Sequence, residues 1–271
     1  MNLPLIETQV LFRPSEIGQL MTNSRSKSEI LGETAKTRLT EKAIEIRYGR
    51  YKDFSNKYTT KGLAVEEQSI TTYSLLKGRF FANNKVRVKN DFFTGEIDLP
   101  WIDSNGKTVA ITDVKSSYSV HTFWSALKEV NKAYVHQGCG YLDLFPDAEK
   151  YHIAHLLVDN TDDAVLNELY RESYKWENGD VPSWRSIEVI KNHIFTSESF
   201  DRIIKMHGVH IQSEKDQKAF DSFIEIPIEQ RLIEHTFLRS DLESEIQEVK
   251  ERMAVCREWL FENFNIKHIE K

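Results

Sequence analysis

Two acidic residues, Asp98 and Asp113, flank an Asn105-Gly106 pair at equal distance, and that symmetry constrains the fold more than any other feature of the chain. The segments on either side, 86–99 and 108–114, are rich in strand formers, and Asn-Gly is the strongest short signal for a two-residue hairpin. With Asn105-Gly106 as the loop, facing residues have numbers that sum to 211, so Asp98 stands opposite Asp113. Their Cβ atoms would then be about 4.5–5.5 Å apart. Lys115, two residues past Asp113, projects from the same face. Like charges so placed repel unless a cation joins them. Two carboxylates beside one ammonium suit Mg²⁺, which takes oxygen ligands and keeps sites for water and substrate phosphate. A Lewis acid next to a lysine that orients water is equipment for phosphodiester hydrolysis. The plainer alternative is a surface hairpin with scattered charges.

The rest of the chain reads as an ordinary soluble globular protein. At 271 residues it is long enough to bury a core without staples, and its two cysteines, Cys139 and Cys256, match no metal or redox spacing. The absence of a disulfide framework points to a reducing cytoplasm. No apolar run approaches the roughly 18 residues of a membrane span, and the first residues lack the pattern of a signal peptide. Helical spacing is predicted over 37–46, 62–76, 121–137 and 163–175, and strands over 108–114 and 151–158. From Ile228 to Phe264 there is neither proline nor glycine, and Leu242, Ile246, Val249, Met253, Cys256 and Leu260 recur at steps of three and four. That heptad-like seam packs either on its own domain or on another subunit. The net charge of −6 hides a basic front: ten basic residues against five acids between Met21 and Lys61, with Lys77, Arg79, Lys85, Arg87 and Lys89 following. Such a front is either a polyanion surface or scattered surface charge. His121, His136, His152 and His155 match no zinc spacing and are expected to be solvated or hydrogen-bonded. No phosphate loop of the Walker type occurs.

Gly95-x-x-Asp98, followed after an apolar run by Asp113-Val114-Lys115, resembles the core of the PD-(D/E)XK nuclease superfamily. Lys61-Gly62-x-x-x-Glu66, followed by Tyr73, is similar to the helix that supplies a further acidic ligand in the RecB-like branch. Tyr134-x-x-Gln137 is similar to that branch's glutamine motif, and Arg13-Pro14-Ser15-Glu16-Ile17-Gly18 to the serine-containing opening of the viral recombination exonucleases. The order of the five elements resembles the phage lambda exonuclease and YqaJ-like family over about 12–158. Two departures stand. The third motif carries Asp113 where these exonucleases more often have glutamate, and Glu67 adjoins Glu66. Spacing from Gly62 and to Tyr73 favours Glu66 as the inward residue. Ser15 is either a phosphate contact or the cap of a helix beginning at Glu16.

The resemblance implies an α/β fold with a restriction-endonuclease-like core: a central mixed β-sheet flanked by helices, with a long C-terminal helix. It divides the chain into a nuclease domain over 1–227 and a helical extension over 228–271. Glu66, Asp98, Asp113 and the carbonyl of Val114 are the implied ligands of Mg²⁺ or Mn²⁺. Lys115 would hold or activate the attacking water, and Gln137 would support the site or the scissile phosphate. Arg13 and Ser15 are the implied nucleic-acid contacts, with the basic residues of 25–61 and 77–89 along the DNA backbone. The implied activity is metal-dependent exonucleolytic digestion of linear duplex DNA, 5′ to 3′, in phage-type recombination in a bacterial or phage-infected cytoplasm. A homo-oligomer and a single-strand annealing protein are the implied assembly and partner. Two alternatives use the same residues differently: a structure-selective or restriction-like endonuclease, and an inactive nucleic-acid-binding or assembly module.

Overall fold

A computed structural model describes residues 3–26, 29–52 and 57–270, apart from the side chains of 57–59. Strand β1 (Ile6–Thr8) and a 3-10 turn at Pro14–Glu16 precede helices α1 (Ile17–Leu20), α2 (Glu33–Tyr48), α3 (Lys57–Ala64) and α4 (Glu66–Lys77). Two very short strands, β2 (Val88–Lys89) and β3 (Thr94–Gly95), lead into β4 (Leu99–Ile102) and β5 (Thr108–Ser116). Helices α5 (Val120–Ser125) and α6 (Lys132–Leu144) cross over to β6 (Lys150–Leu156). Four helices follow: α7 (Asp162–Ser173), α8 (Ser183–Lys191), α9 (Ser197–Met206) and α10 (Glu214–Asp221). The chain ends in β7 (Leu232–Leu238), α11 (Arg239–Phe264) and β8 (Ile266–His268), which pairs in parallel with β1.

The main sheet runs β4-β5-β6-β7, parallel between β5 and β6 and antiparallel at both edges. A parallel pair requires a long crossover, and α5 with α6 supplies it. Strand β5 is buried without interruption from Ala110 to Asp113. A strand covered on both faces has no polar side to show, which is why its sequence alternates poorly. Pro100 is tolerated because β4 is an edge. On one face, α6 shares a core with α1, α2 and α11 through Ile17, Leu39, Cys139, Leu142, Tyr151 and Leu260. The other face is covered by α4, whose Ile70 and Tyr73 pack on Leu99, Ala154 and Leu156. All six seam residues of α11 are buried in the first core, so the long helix packs on its own chain. Helices α7 to α10 surround a smaller core of Val165, Ile187, Ile190, Phe200 and Ile203. Thr161, Thr196 and Ser213 cap three of these helices through their side-chain oxygens. Among the described residues no helix is long and apolar enough to cross a membrane.

The hairpin reaches the expected pairing by a different route. Leu99, Pro100 and Trp101 pair with Thr112, Ile111 and Ala110, as a sum of 211 requires, but Ile102 pairs with Thr108. The loop is Ser104-Asn105-Gly106, closed by the Asp103 N–H on the Lys107 carbonyl at 2.9 Å, with Gly106 in the left-handed region at φ +80°. A loop one residue longer shifts the register, and a bulge at Val109 shifts it back. The two offsets cancel, leaving Asp98 next in line opposite Asp113.

Three further expectations are corrected. The tail is helical only from Arg239; Leu232–Leu238 is an edge strand of the main sheet, so a boundary at 227/228 would detach a strand from its own sheet. The predicted helix over 62–76 breaks at Val65, whose ψ of 13° lies outside the helical range, into α3 and α4. The one over 121–137 breaks over 126–131, because Asn131 caps a new helix by accepting the Ala133 N–H.

Candidate active site

Asp113 and Lys115 leave β5 on the face covered by α6, and Asp98 sits in the bend just before β4. An Asp98 carboxylate oxygen accepts the Val114 N–H at 2.8 Å. The carbonyl and N–H of a strand residue point to the same edge, so the Val114 carbonyl faces this side as well. Asp113 is 1% exposed and fully engaged. One of its oxygens accepts from Lys115 Nζ at 2.7 Å and from the Tyr151 hydroxyl at 3.1 Å; the other accepts from Gln137 Nε2 at 3.2 Å. The Gln137 amide oxygen in turn accepts from Lys115 Nζ at 3.2 Å, so one side chain bridges carboxylate and ammonium. Lys115 Nζ also lies 4.7 Å from the centroid of the Tyr134 ring, a cation–π contact. Gln137 and Tyr134 come from one face of α6. That helix approaches closely because Gly138 lacks a side chain: a Cβ there would lie 2.2 Å from the Tyr151 ring.

Electrostatics follow from this crowding. Burial, and then the charge of Asp113, push the Asp98 carboxyl up to about 7, against the pull of Lys115 and the Val114 N–H. Burial works against the Lys115 ammonium, but Asp113 and Asp98 outweigh it and hold its pKa above the ordinary lysine value. Glu66, the first residue of α4, adds to the upward push on Asp98, whereas Glu67 is exposed. Glu66 is therefore the acid of that pair whose charge is felt at the site. It stands at the rim: among the described residues no group of three His, Cys, Asp or Glu side chains is close enough to hold a metal ion. Two buried carboxyl groups crowd against each other beside a single lysine, and the Val114 carbonyl adds an oxygen donor. This donor set fits a hard divalent cation.

The opening segment is near the site without touching it. Pro14 packs where a Cβ on Gly95 would lie 3.0 Å from its ring and 3.5 Å from that of Tyr141, and the Tyr141 hydroxyl accepts from Gln137 at 3.3 Å. Arg13 pairs with Glu16 at 3.7 Å and Glu45 at 3.6 Å. Ser15 is exposed and caps nothing: the turn begins at Pro14, and the Glu16 carboxylate reaches back to the Arg13 N–H at 2.8 Å. Several residues of the basic front are internal. Arg38 and Lys42 are buried around Glu16, Lys61 is buried with its amine on the Ser117 and Val158 carbonyls, and Lys77 pairs with Glu234. Lys27 and the side chain of Lys57 lie outside the described residues.

Three residues escape sequence reasoning. Tyr151 and Tyr141 support Asp113 and Gln137, but nothing in their sequence context distinguishes them from core tyrosines. His155 is half-buried and its ring nitrogens are not among the buried unpartnered atoms, in keeping with the expectation of a solvated or hydrogen-bonded histidine; its place beside the site is what the sequence does not show. It pairs in register with Lys115 across β5 and β6, and among the described residues no hydrogen bond reaches its ring nitrogens. Burial, His235 and Lys115 lower its pKa to about 4, so it is neutral near pH 7.

No protein-family model matches the chain, and no curated protein matches it. Solved structures do. A phage-related exonuclease from Haemophilus somnus 129PT superposes with a TM-score of 0.61 at 23% identity, covering 93% of each chain. The chain shares the exonuclease fold. An alkaline exonuclease, LHK-Exo from Laribacter hongkongensis, superposes with a TM-score of 0.53 at 10% identity, over 92% of this chain and 89% of that one. LHK-Exo in complex with dAMP gives 0.52 at 11% identity, over 93% and 92%. The fold common to these structures extends through the α7–α10 block and the C-terminal helix, well past the motif-bearing half of the chain.

Proposed function

We propose that the protein is a metal-dependent deoxyribonuclease that digests linear duplex DNA from its ends, 5′ to 3′, as in phage-type recombination. What carries the reading is the convergence of Asp98, Asp113, Lys115 and Gln137 on a fold shared with exonucleases. Asp98, Asp113 and the Val114 carbonyl would hold Mg²⁺ or Mn²⁺, with Glu66 closing the set from the first turn of α4. When bound, the ion supplies Lewis acidity at the phosphoryl oxygen. The chain's own residues do the rest. Lys115 gives two of its N–H donors to Asp113 and Gln137, and its remaining donor capacity would face water or a phosphate oxygen, so that it would hold or activate the attacking water. Gln137 fixes the rotamers of both neighbours, and Tyr151 keeps Asp113 oriented. Arg13 and Ser15 would meet the DNA backbone at the edge of the site, making binding salt-dependent. A homo-oligomer and a single-strand annealing partner belong to the same proposal, tested by solution mass and by pull-down with the purified partner.

The deciding experiment follows linear duplex DNA labelled at one 5′ end, with Mg²⁺ or Mn²⁺, with EDTA, and with Asp113→Asn. A closed circular duplex runs alongside. Early metal-dependent release of labelled mononucleotide, absent on circles and reduced at least about 10³-fold in Asp113→Asn with DNA binding retained, is the expected result. Cutting of circles would replace the exonuclease with an endonuclease. No cleavage with either metal would leave a binding or assembly module.

A further inference from the structure

Of the three acids assigned to the site, Asp98 is the one that no regular element carries. Asp113 sits inside β5 and Glu66 opens α4, but residues 96–98 form an irregular link between β3 and β4. The polar backbone groups of such a link have to find partners outside a ladder. Asn84 supplies them. Its side-chain Nδ2 donates to the Ile97 carbonyl at 2.9 Å, and its backbone N–H donates to the Asp98 carbonyl at 3.3 Å. The Ile97 carbonyl belongs to the peptide before the Asp98 Cα and the Asp98 carbonyl to the peptide after it. A peptide unit is planar, so one residue fixes both planes that flank Asp98.

Asn84 is itself well held. Its Oδ1 accepts the Val86 N–H at 3.3 Å, an Asx turn that orients the amide. Residues 80–87 form no helix or strand, yet the segment is pinned at both ends. Phe81 is buried against Tyr73 and Leu99, with its ring 4.9 Å from that of Trp101, and Arg87 pairs with Glu96 at 2.9 Å. The effect of this strut reaches the site through one bond. The Asp98 carboxylate accepts the Val114 N–H at 2.8 Å, one residue along β5 from Asp113, and that bond is only as well aimed as the backbone behind it. We propose that Asn84 is a positioning residue, which aims the Asp98 carboxylate by holding the two peptide planes on either side of it. The assignment rests on the nuclease reading and adds to it a residue that lies outside every motif of the sequence.

The test compares wild type with Asn84→Ala, and with Asn83→Ala as the control one residue away. The first readout needs no metal: amide hydrogen exchange of the metal-free protein, resolved by residue with NMR. Loss of the Nδ2 bond frees the peptide before Asp98, so the Val114 amide should exchange roughly fivefold faster in Asn84→Ala, the value of one hydrogen bond. The other amides of β5, and Val114 in Asn83→Ala, should keep the wild-type rate. The second readout is calorimetric titration with Mn²⁺, whose affinity should fall about tenfold in Asn84→Ala and stay unchanged in Asn83→Ala. Against an Asp98→Asn background, Asn84→Ala should cost nothing further, because it acts through that carboxylate. Should Asn84→Ala melt early, Asn84→Ser carries the comparison: it keeps an acceptor for the turn and lacks the reach to Ile97. An unchanged Val114 amide, faster exchange along the whole of β5, or equal Mn²⁺ losses in the two backgrounds would overturn the assignment. DNA cleavage by wild type with an unchanged Val114 amide in the variant removes the positioning role and leaves the nuclease. A faster Val114 amide in a chain that neither binds Mn²⁺ nor cleaves DNA does the reverse.

Discussion

Glu16→Gln tests whether a buried ion cluster holds the opening segment in place. Glu16 is 5% exposed and lies between Arg38, at 2.7 and 3.0 Å, and Lys42, at 2.7 Å, while also accepting the Arg13 N–H. An amide keeps the shape but removes the charge and offers one acceptor where the carboxylate offered two. Arg38 would still have Glu45 at 2.8 Å and Glu41 at 3.2 Å. Lys42 would lose its carboxylate partner while staying buried. Breaking a buried pair from one side costs about 3–5 kcal/mol, and the surviving partners of Arg38 argue for the lower end, about 3 kcal/mol. In a domain of this size that is roughly 6–12 °C in Tm. The pH dependence gives a second check. Burial alone would push the Glu16 carboxyl up, but Lys42 and Arg38 outweigh it and hold its pKa below the ordinary 4.5. A depressed carboxylate contributes stability that is fully present above its unfolded pKa and is lost as pH falls through the folded one. Urea unfolding followed by circular dichroism should therefore show the widest gap between wild type and variant near pH 7, narrowing below about pH 4.5. A gap under about 1 kcal/mol at pH 7, or one that stays constant on acidification, would refute the argument.

Other consequences can be checked with similar means. Gly138→Ala would put a methyl 2.2 Å from the Tyr151 ring and displace the hydroxyl that sits 3.1 Å from Asp113. A Tm loss equivalent to about 1–3 kcal/mol should come with reduced cleavage, and an unchanged Tm would contradict the close packing. Burial lowers the Lys61 amine to about 7, against the attraction of Asp159. As pH falls from 10.5 toward 7 the unfolded chain gains a proton that the folded chain refuses, so Lys61 costs stability through that window. Lys61→Met should be weaker than wild type near pH 10, having lost bonds to two carbonyls, and the difference should shrink toward pH 7; urea midpoints across the range decide it. The Cys139 and Cys256 thiols are buried and pushed up to about 12, so a thiol reagent at pH 8 should label neither until denaturant is added.

How much of this was visible in the chain depends on how local each interaction is. The Asp98–Asp113 pairing was legible because a hairpin is closed by its own few residues, although the route to it was not. Sequence shows Asn-Gly, but not that Gly106 alone takes the left-handed conformation, nor that Val109 bulges to restore the register. The Gln137 helix and the seam of α11 were legible from spacing, since both bury one stripe of a regular helix. Helix breaks at Val65 and after Ser125 were not, because interrupting residues with good helical spacing hide the stop until packing imposes it. Strand β7 was missed for a related reason: Leu232–Leu238 has no flanking glycine or proline, and its place at the sheet edge depends on β6 alone. Charge counting failed at Arg38, Lys42 and Lys61, whose partners lie far along the chain. The same limit explains His155. It reaches Lys115 only through the parallel register of β5 and β6, set by a crossover that carries no local mark of the alignment it produces. A hairpin can bring two catalytic candidates together by itself; the residues that orient them come from elements that only tertiary packing aligns.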